Sequence, residues 1–349
     1  MKKISHTYQE IYAQSDSFKG VNDSLAAVYN VLDQVFRQGQ DYDELIFTGC
    51  GTSLYLAQSA AHAFSTYTNM SARAVPCSEL YFFTETYVKG KNVLVLPVTR
   101  KSYTTEVRMA IDKVRLLPNV KTLSITCDID SQKYNDYVIL SPVAEEESVV
   151  MTRSFTSMLY LAIIMAMYVG GRKSEIEAMS GYDQTARVLI AGMDAMAKKI
   201  VAENPELSLF VMLGQGVCYG VASESMNKIK EMSISHSEAY VNLEYRHGPM
   251  SLADQNTLIL LHACSDMQDY DVALLEQMKG FGAVTAVVGR NVTAKMPGVD
   301  YKFDMPEEFN DMQNAALIGI IGQFLGYYLA EKKNIDADYP RNLSQAIVL

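Results

Sequence analysis

Two residues of this chain have the types and the placement needed to move a proton on carbon. Glu231 and His247 lie sixteen positions apart within SMNKIKEMSISHSEAYVNLEYRHGPMSLAD, residues 225–254. Ala222, Met226, Ile229 and Ser233 recur at helical spacing and predict a helix with one narrow, mostly apolar face. At about 100° per residue, Glu231 falls on the opposite side of that helix, toward water, a cleft or another subunit. His247 stands where the backbone must turn, because Pro249 lacks a donor and biases Gly248 away from the helical region. A carboxylate and an imidazole on separate elements are the minimum set for carrying a proton between two carbons. Plainer readings stand beside this one: a Glu on a polar helix face is commonly a solvated charge, and a His beside Gly-Pro is commonly a turn residue.

The elements that must position these residues follow an alternating plan. Glu44–Thr48 reads as a buried strand running into Gly49-Cys50-Gly51-Thr52-Ser53 and a helix over 54–64. Strands are predicted at Ala72–Val75, Asn92–Val98, Thr122–Thr126 and Tyr137–Leu140, with a turn at 76–79 and a helix ending near Leu117. Leu207–Leu213 repeats the plan: it enters Gly214-Gln215-Gly216 and a helix over 219–232. Thr257–Leu261, a helix over 272–280 and Ala283–Gly289 follow. Two copies of one α/β unit are the economical account, each a parallel sheet flanked by helices, doubly wound and flavodoxin-like. The boundaries read as a helical arm at 1–40, a first domain at 41–175, a helical link at 176–205, and a second domain with a C-terminal tail at 206–349.

In open α/β sheets ligands bind beyond the carboxyl ends of the strands, at loops that open helices. Two such loops in the first copy are rich in hydroxyls: Gly51-Thr52-Ser53, and Thr99-Arg100-Lys101-Ser102-Tyr103-Thr104-Thr105. Helix N-termini there offer free N–H groups to a phosphate, although Ser and Thr are equally ordinary helix caps. The corresponding loops of the second copy are poorer in hydroxyls. No GxGxxG or GxxxxGK[ST] occurs at these loops, which argues against dinucleotide binding and nucleotide hydrolysis.

Charge and composition narrow the classes further. A net charge of −10 without a Lys/Arg-rich run argues against nucleic acid and anionic membranes as partners. The longest apolar run, Leu159–Val169, is about half of the roughly 20 residues that a membrane span requires. The N-terminus lacks the apolar region of a signal peptide. Five cysteines, odd in number and without CxxC, read as reduced thiols of a cytoplasmic protein and not as zinc ligands; no metal or cofactor is expected. Glu145, Glu146 and Glu147 read as a solvated loop. Thr152 and Thr156 read equally as sugar-site lining or packing, and His236 as a structural or interface residue.

Five motifs then occur in one order: Gly49-Cys50-Gly51-Thr52-Ser53; Val150-Met151-Thr152-Arg153-Ser154-Phe155-Thr156; Lys228-Ile229-Lys230-Glu231; Glu244-Tyr245-Arg246-His247-Gly248-Pro249; and Pro340-Arg341-Asn342-Leu343. From about residue 40 onward the chain resembles the double sugar-isomerase (SIS) domain family. It is similar to the isomerase half of glutamine–fructose-6-phosphate aminotransferase and its stand-alone relatives. The resemblance implies a sugar-phosphate substrate whose phosphate is held by Ser53, Thr99, Arg100, Lys101 and Thr104, with Thr52 and Thr152 beside it. It implies that Glu231 shuttles a proton between C1 and C2. It also implies that His247 assists ring opening, reaching the site from the neighbouring subunit of a homodimer.

Three departures from the family pattern set the expected reaction. The phosphate loop, usually Ser-x-Ser-Gly-x-Thr, has Lys101 in place of a hydroxyl and Ser102 in place of glycine. Gln345 stands where the aminotransferase has a lysine that forms a Schiff base, and an amide cannot form that imine. No glutaminase region with its leading cysteine precedes the motifs, so synthesis of glucosamine 6-phosphate from glutamine is not expected. The leading expectation is an amino-sugar-6-phosphate deaminase/isomerase that releases ammonia and a ketose phosphate. A fructosamine-6-phosphate deglycase, a sugar-phosphate-binding sensor without turnover and a plain aldose–ketose isomerase are the alternatives.

Overall fold

The computed structural model of the protein describes residues 5–37 and 41–348; the ends of the expected arm, residues 1–4 and 38–40, lie outside the described residues, as does Leu349. The chain forms two compact units, one of residues 13–37, 41–146, 153–184 and 344–348, the other of residues 5–12, 147–152 and 185–343. The stretch expected to be an arm is therefore divided between them, and the last residues of the tail group with the first sheet.

The first unit is built on five parallel strands, β1 (Glu44–Gly49), β2 (Ala72–Pro76), β3 (Val93–Thr99), β4 (Val120–Thr126) and β5 (Tyr137–Leu140). Their order is β2-β1-β3-β4-β5. β1 and β3 read as unbroken apolar runs because both faces are covered, and every residue of both is buried. One layer holds the Thr52–Thr68 and Arg153–Val169 helices, which pack on each other. Residues 154–167 are all buried. That burial explains why this stretch carries no amphipathic period to be read from sequence. The other face buries Ile46, Leu80, Val93, Val95, Val107 and Ile111 in one cluster. The turn expected at 76–79 is instead the start of a short helix, Cys77–Phe82. Pro76, with φ −56°, is well suited to lead into it, and Cys77 and Leu80 are buried against the sheet.

The second unit repeats this topology with β6 (Leu209–Gly214), β7 (His236–Tyr240), β8 (Thr257–His262), β9 (Val284–Arg290) and β10 (Tyr301–Met305), in the order β7-β6-β8-β9-β10. β7 and β10 are short edge strands of mixed burial; β7 shows no strand period, whereas Tyr301-Lys302-Phe303-Asp304-Met305 of β10 alternates apolar and polar residues yet is not among the expected strands. The duplication extends to single torsion angles. Gly51 caps the helix after β1 at φ 54°, ψ −127°, and Gly216 caps the helix after β6 at φ 58°, ψ −127°. A side chain is excluded one turn earlier in both copies. A Cβ on Gly49 would lie 2.6 Å from the Ser53 carbonyl carbon, and one on Gly214 would lie 2.2 Å from the Cys218 oxygen. A Gly49→Ala variant is expected to lose about 1–3 kcal/mol through this backbone clash, read as a lower urea midpoint at unchanged m.

His262 closes β8 inside the second unit. It is fully buried, with Nδ1 3.0 Å from the Leu213 carbonyl and Nε2 3.0 Å from the Ser225 hydroxyl. Burial pushes its pKa down from 6.5 to about 4, only partly offset by the bond to Leu213. A depressed histidine contributes stability that is fully present above the unfolded value and lost as pH falls toward the folded one. Acidification from about pH 6.5 to 4 is expected to remove about 3 kcal/mol at this residue. Urea titrations across that range check it: a His262→Gln variant is expected to lose this part of the slope.

Candidate functional site

The strand order places the first candidate site. β1 and β3 are neighbours, and the chain leaves their carboxyl ends in different directions, which makes the gap between them the topological switch point of the first sheet. Thr52 and Ser53 open the helix after β1; Thr99 ends β3, and Thr104 caps the Thr105–Val114 helix that follows. The structure thus brings together Thr52, Ser53, Thr99, Arg100, Lys101 and Thr104 at one edge of one sheet. Ser53 is buried, its amide bonded to the Cys50 carbonyl at 3.2 Å, and its hydroxyl has no partner among the described residues.

The β3 loop is held from within. Thr99 Oγ1 donates to the Lys101 carbonyl at 2.7 Å, and Thr104 Oγ1 points to the same carbonyl at 3.4 Å. Ser102, which replaces the expected glycine, donates both its amide (2.9 Å) and its hydroxyl (2.7 Å) to Asp128 at the end of β4. Although burial opposes it, the donors of Ser102 and Asp130 hold the Asp128 carboxyl below its ordinary range. Ser102 therefore fastens the loop to β4 through a group that sequence reasoning missed.

Arg100 occupies a different position from a phosphate ligand open to solvent. Its side chain is 6% exposed, with Nη1 2.8 Å from Glu146 Oε2 and Nη2 2.9 Å from the Gln345 carbonyl. Glu146, expected on a solvated loop, has a fully buried side chain that also accepts from the Ser154 amide and hydroxyl. The Gln345 side chain donates to the Glu146 carbonyl at 3.1 Å, and Ile347 O accepts from the Thr105 amide at 3.1 Å. The tail therefore lies against the loop that opens the Thr105–Val114 helix. Lys101 is the cation of this loop whose ammonium makes no hydrogen bond or ion pair among the described residues, although its charge also helps to lower Asp128.

The second candidate group lies in the other unit. Glu231 stands in the last turn of the Val217–Ser233 helix, whose burial is far wider than the narrow stripe expected. Glu224, Ser225 and Lys228 are buried along with the apolar positions, because the Ile320–Lys332 helix crosses here on two glycines. A Cβ on Gly322 would lie 2.3 Å from Ser225 Oγ, and one on Gly326 would lie 2.8 Å from Lys228 O. Lys228, fully buried, reaches Glu224 Oε1 at 3.3 Å and Glu231 Oε2 at 2.5 Å. Burial alone would push this ammonium down, but the two carboxylates outweigh it and its pKa is raised. Asn227 Nδ2 donates to the other oxygen of Glu231 at 2.9 Å. Glu231 thus has both oxygens fixed and still keeps a quarter of its side chain exposed. That suits a group that must meet a substrate in one orientation.

His247 does not join Glu231 through a hydrogen bond. It caps the short 3-10 turn Leu243–Arg246 and is exposed, and its ring has no partner among the described residues. Gly248 follows at φ 127°, a conformation side chains avoid, and fixes the turn that presents the imidazole. Glu231 precedes β7, whose first residue His236 pairs with Leu209 at the amino edge of the sheet; His247 follows the far end of that strand. Thr152 is buried, its carbonyl accepting from Gln323 Nε2 at 3.2 Å, whereas Thr156 bonds Gln14 at 2.6 Å as packing. Among the described residues no group of His, Cys, Asp and Glu is placed to hold a metal, and no helix is long and apolar enough to cross a membrane.

Comparison with known proteins bears on both groups. The SIS domain model matches residues 40–169 and again 209–330, one match over each sheet. The chain belongs to the SIS domain family. Its SIS domains are similar to those of glutamine–fructose-6-phosphate aminotransferase from Sulfurisphaera tokodaii, 27% identical over 346 residues and 98% of this chain. The enzyme of the same name from Sulfolobus acidocaldarius is 25% identical over 344 residues. The chain spans 56% of the length of each of these relatives. Among solved structures, glucosamine-6-phosphate deaminase from Thermotoga maritima is 28% identical with a TM-score of 0.81, covering 99% of this chain and 100% of its own. Tagatose-6-phosphate ketose/aldose isomerase from Escherichia coli shares the fold at 19% identity, with a TM-score of 0.86 over 99% of this chain and 96% of its own.

Proposed function

We propose that the protein is an amino-sugar-6-phosphate deaminase/isomerase. The observation that carries this reading is Glu231, a carboxylate fixed by Lys228 and Asn227 yet open on one side. With the sugar ring opened, Glu231 takes the proton from C2 and returns it to C1. The 2-amino aldose becomes a ketose imine, and water hydrolyses that imine to the ketose phosphate and ammonia. Ser53 and Lys101, with the amides of the loop after β1, hold the phosphate at the first sheet's switch point. Two features favour release of ammonia over its transfer. Gln345 offers no amine for a Schiff base, and the chain is similar over its full length to the Thermotoga maritima deaminase.

In this reading the enzyme is a homodimer in which His247 serves the partner's site. Glu231 and His247 lie before and after β7 and no hydrogen bond joins them within one chain, which is compatible with a His247 supplied by a second copy. The experiment measures ammonia release from glucosamine 6-phosphate and amine release from fructoselysine 6-phosphate by the purified protein. Ammonia release at catalytic rates supports the proposal. Turnover of fructoselysine 6-phosphate alone replaces it with a deglycase, and binding of both sugars without turnover replaces it with a sensor.

A further inference from the structure

The thiols of Cys50 and Cys77 lie outside the chemistry proposed above. β1 and β2 pair in parallel register up to Gly49 and Pro76, and each chain leaves the sheet one residue later, at Cys50 and Cys77. Neighbouring strands are about 4.8 Å apart, so residues one step past a paired position fall within the Cα separations that a disulfide spans. The side chains do converge. Cys77 belongs to the buried cluster of the sheet, and Cys50 packs against that cluster. Thr48 Oγ1 donates to Cys77 Sγ at 3.3 Å. The neighbouring Cys50 thiol holds the pKa of Cys77 below its ordinary value although burial opposes it. Cys77 is buried, whereas Cys50 is partly open to solvent.

We propose that Cys50 and Cys77 form a reversible dithiol switch beneath the loop that carries Thr52 and Ser53. As the accessible Cys50 sulfur attacks a low-molecular-weight disulfide its proton passes to the Cys77 thiolate, giving a mixed disulfide and one small thiolate. That thiolate takes the proton back from Cys77, whose sulfur then attacks the Cys50 sulfur, forming the internal bond and releasing the second small thiolate. The two protein thiols lose two protons and two electrons, and the oxidant leaves as two thiols. The turn above the pair ties Ser53 to Cys50, whose carbonyl accepts from the Ser53 amide at 3.2 Å. Drawing Cys50 onto Cys77 therefore displaces Ser53. This consequence rests on the sugar-phosphate reading above; formation of the bond does not.

The test oxidises the full-length protein with glutathione disulfide, blocks free thiols and maps tryptic peptides without reduction. The two cysteines fall in separate peptides, 38–73 and 74–89. The expected product is a link between them that dithiothreitol reverses, and a Cys77→Ser variant that retains glutathione on Cys50. A different link, 200–228 to 247–279 through Cys218 and Cys264, or glutathione left on Cys50 of the unaltered protein, overturns the pairing. Affinity for glucosamine 6-phosphate is expected to be about tenfold weaker in the linked form. Unchanged affinity in a protein shown to be linked overturns the switch. A reduced protein that binds no sugar phosphate refutes the functional reading and leaves the pairing to be decided by the peptides.

Discussion

A Glu231→Gln variant is expected to lose about 10²–10⁴-fold in kcat while keeping the thermal stability of the parent, the range for removing a positioned acid–base group. The amide still accepts from Lys228 on one atom, and the site keeps its shape, but it cannot carry a proton from C2 to C1. KM is expected to change little, because the substitution removes the proton carrier and leaves the charge-bearing groups proposed for the phosphate untouched. Coupled measurement of ammonia release at saturating glucosamine 6-phosphate checks the expectation; retention of more than a tenth of the rate removes Glu231 from the role. The same variant tests whether sites are shared. If His247 serves the partner's Glu231, mixing Glu231→Gln with His247→Ala subunits creates mixed dimers with one intact site. Equal mixing and free exchange are then expected to restore about a quarter of the parental activity. Subunits that each complete their own site would restore none.

The parts of this design that the sequence exposed share one property: each is local. Gly49 and Gly51, and their counterparts Gly214 and Gly216, reveal two copies because a strand that turns into a helix over its own carboxyl end tolerates no side chain there. The hydroxyls of Ser53 and Thr99 are legible for the same reason, since they follow those strands directly. What stayed hidden depends on partners remote in sequence. Glu146 reads as solvated among three glutamates, and only the fold brings Arg100 onto it, 46 positions away. The resemblance implies a phosphate role for Arg100, and the Glu146 side chain that its guanidinium meets is invisible from sequence. The edge strands β7 and β10 have one neighbour each; β7 has no buried face long enough to impose a period, whereas the alternation of Tyr301-Lys302-Phe303-Asp304-Met305 in β10 is a strand signal that the expected elements omit. Glu224 and Lys228, spaced i,i+4, carry no mark of their burial in the sequence. A fainter signal was available at Gly322 and Gly326, two glycines one turn apart in an apolar helix, which mark a close helix crossing.

That crossing gives Lys228 the second large effect. Lys228→Met is expected to destabilise the protein by about 3–5 kcal/mol, because it leaves Glu224, 1% exposed, as a buried carboxylate without its ammonium. The damage arises from a buried carboxylate deprived of its ammonium and not from the lost attraction. A double variant, Glu224→Leu with Lys228→Met, should therefore recover most of the stability by filling the same space with apolar atoms. Activity is expected to behave differently. In the double variant Glu231 has lost the ammonium 2.5 Å from its Oε2 and keeps only Asn227, so its carboxylate is free to rotate. A fall of about 10–100-fold in kcat at restored stability is the expected result, since loss of orientation alone costs rates of that order. Urea midpoints and kcat measured on the same preparations separate the two effects. Recovery of activity along with stability would make Lys228 a structural counterion, whereas stability without activity makes it the residue that aims Glu231.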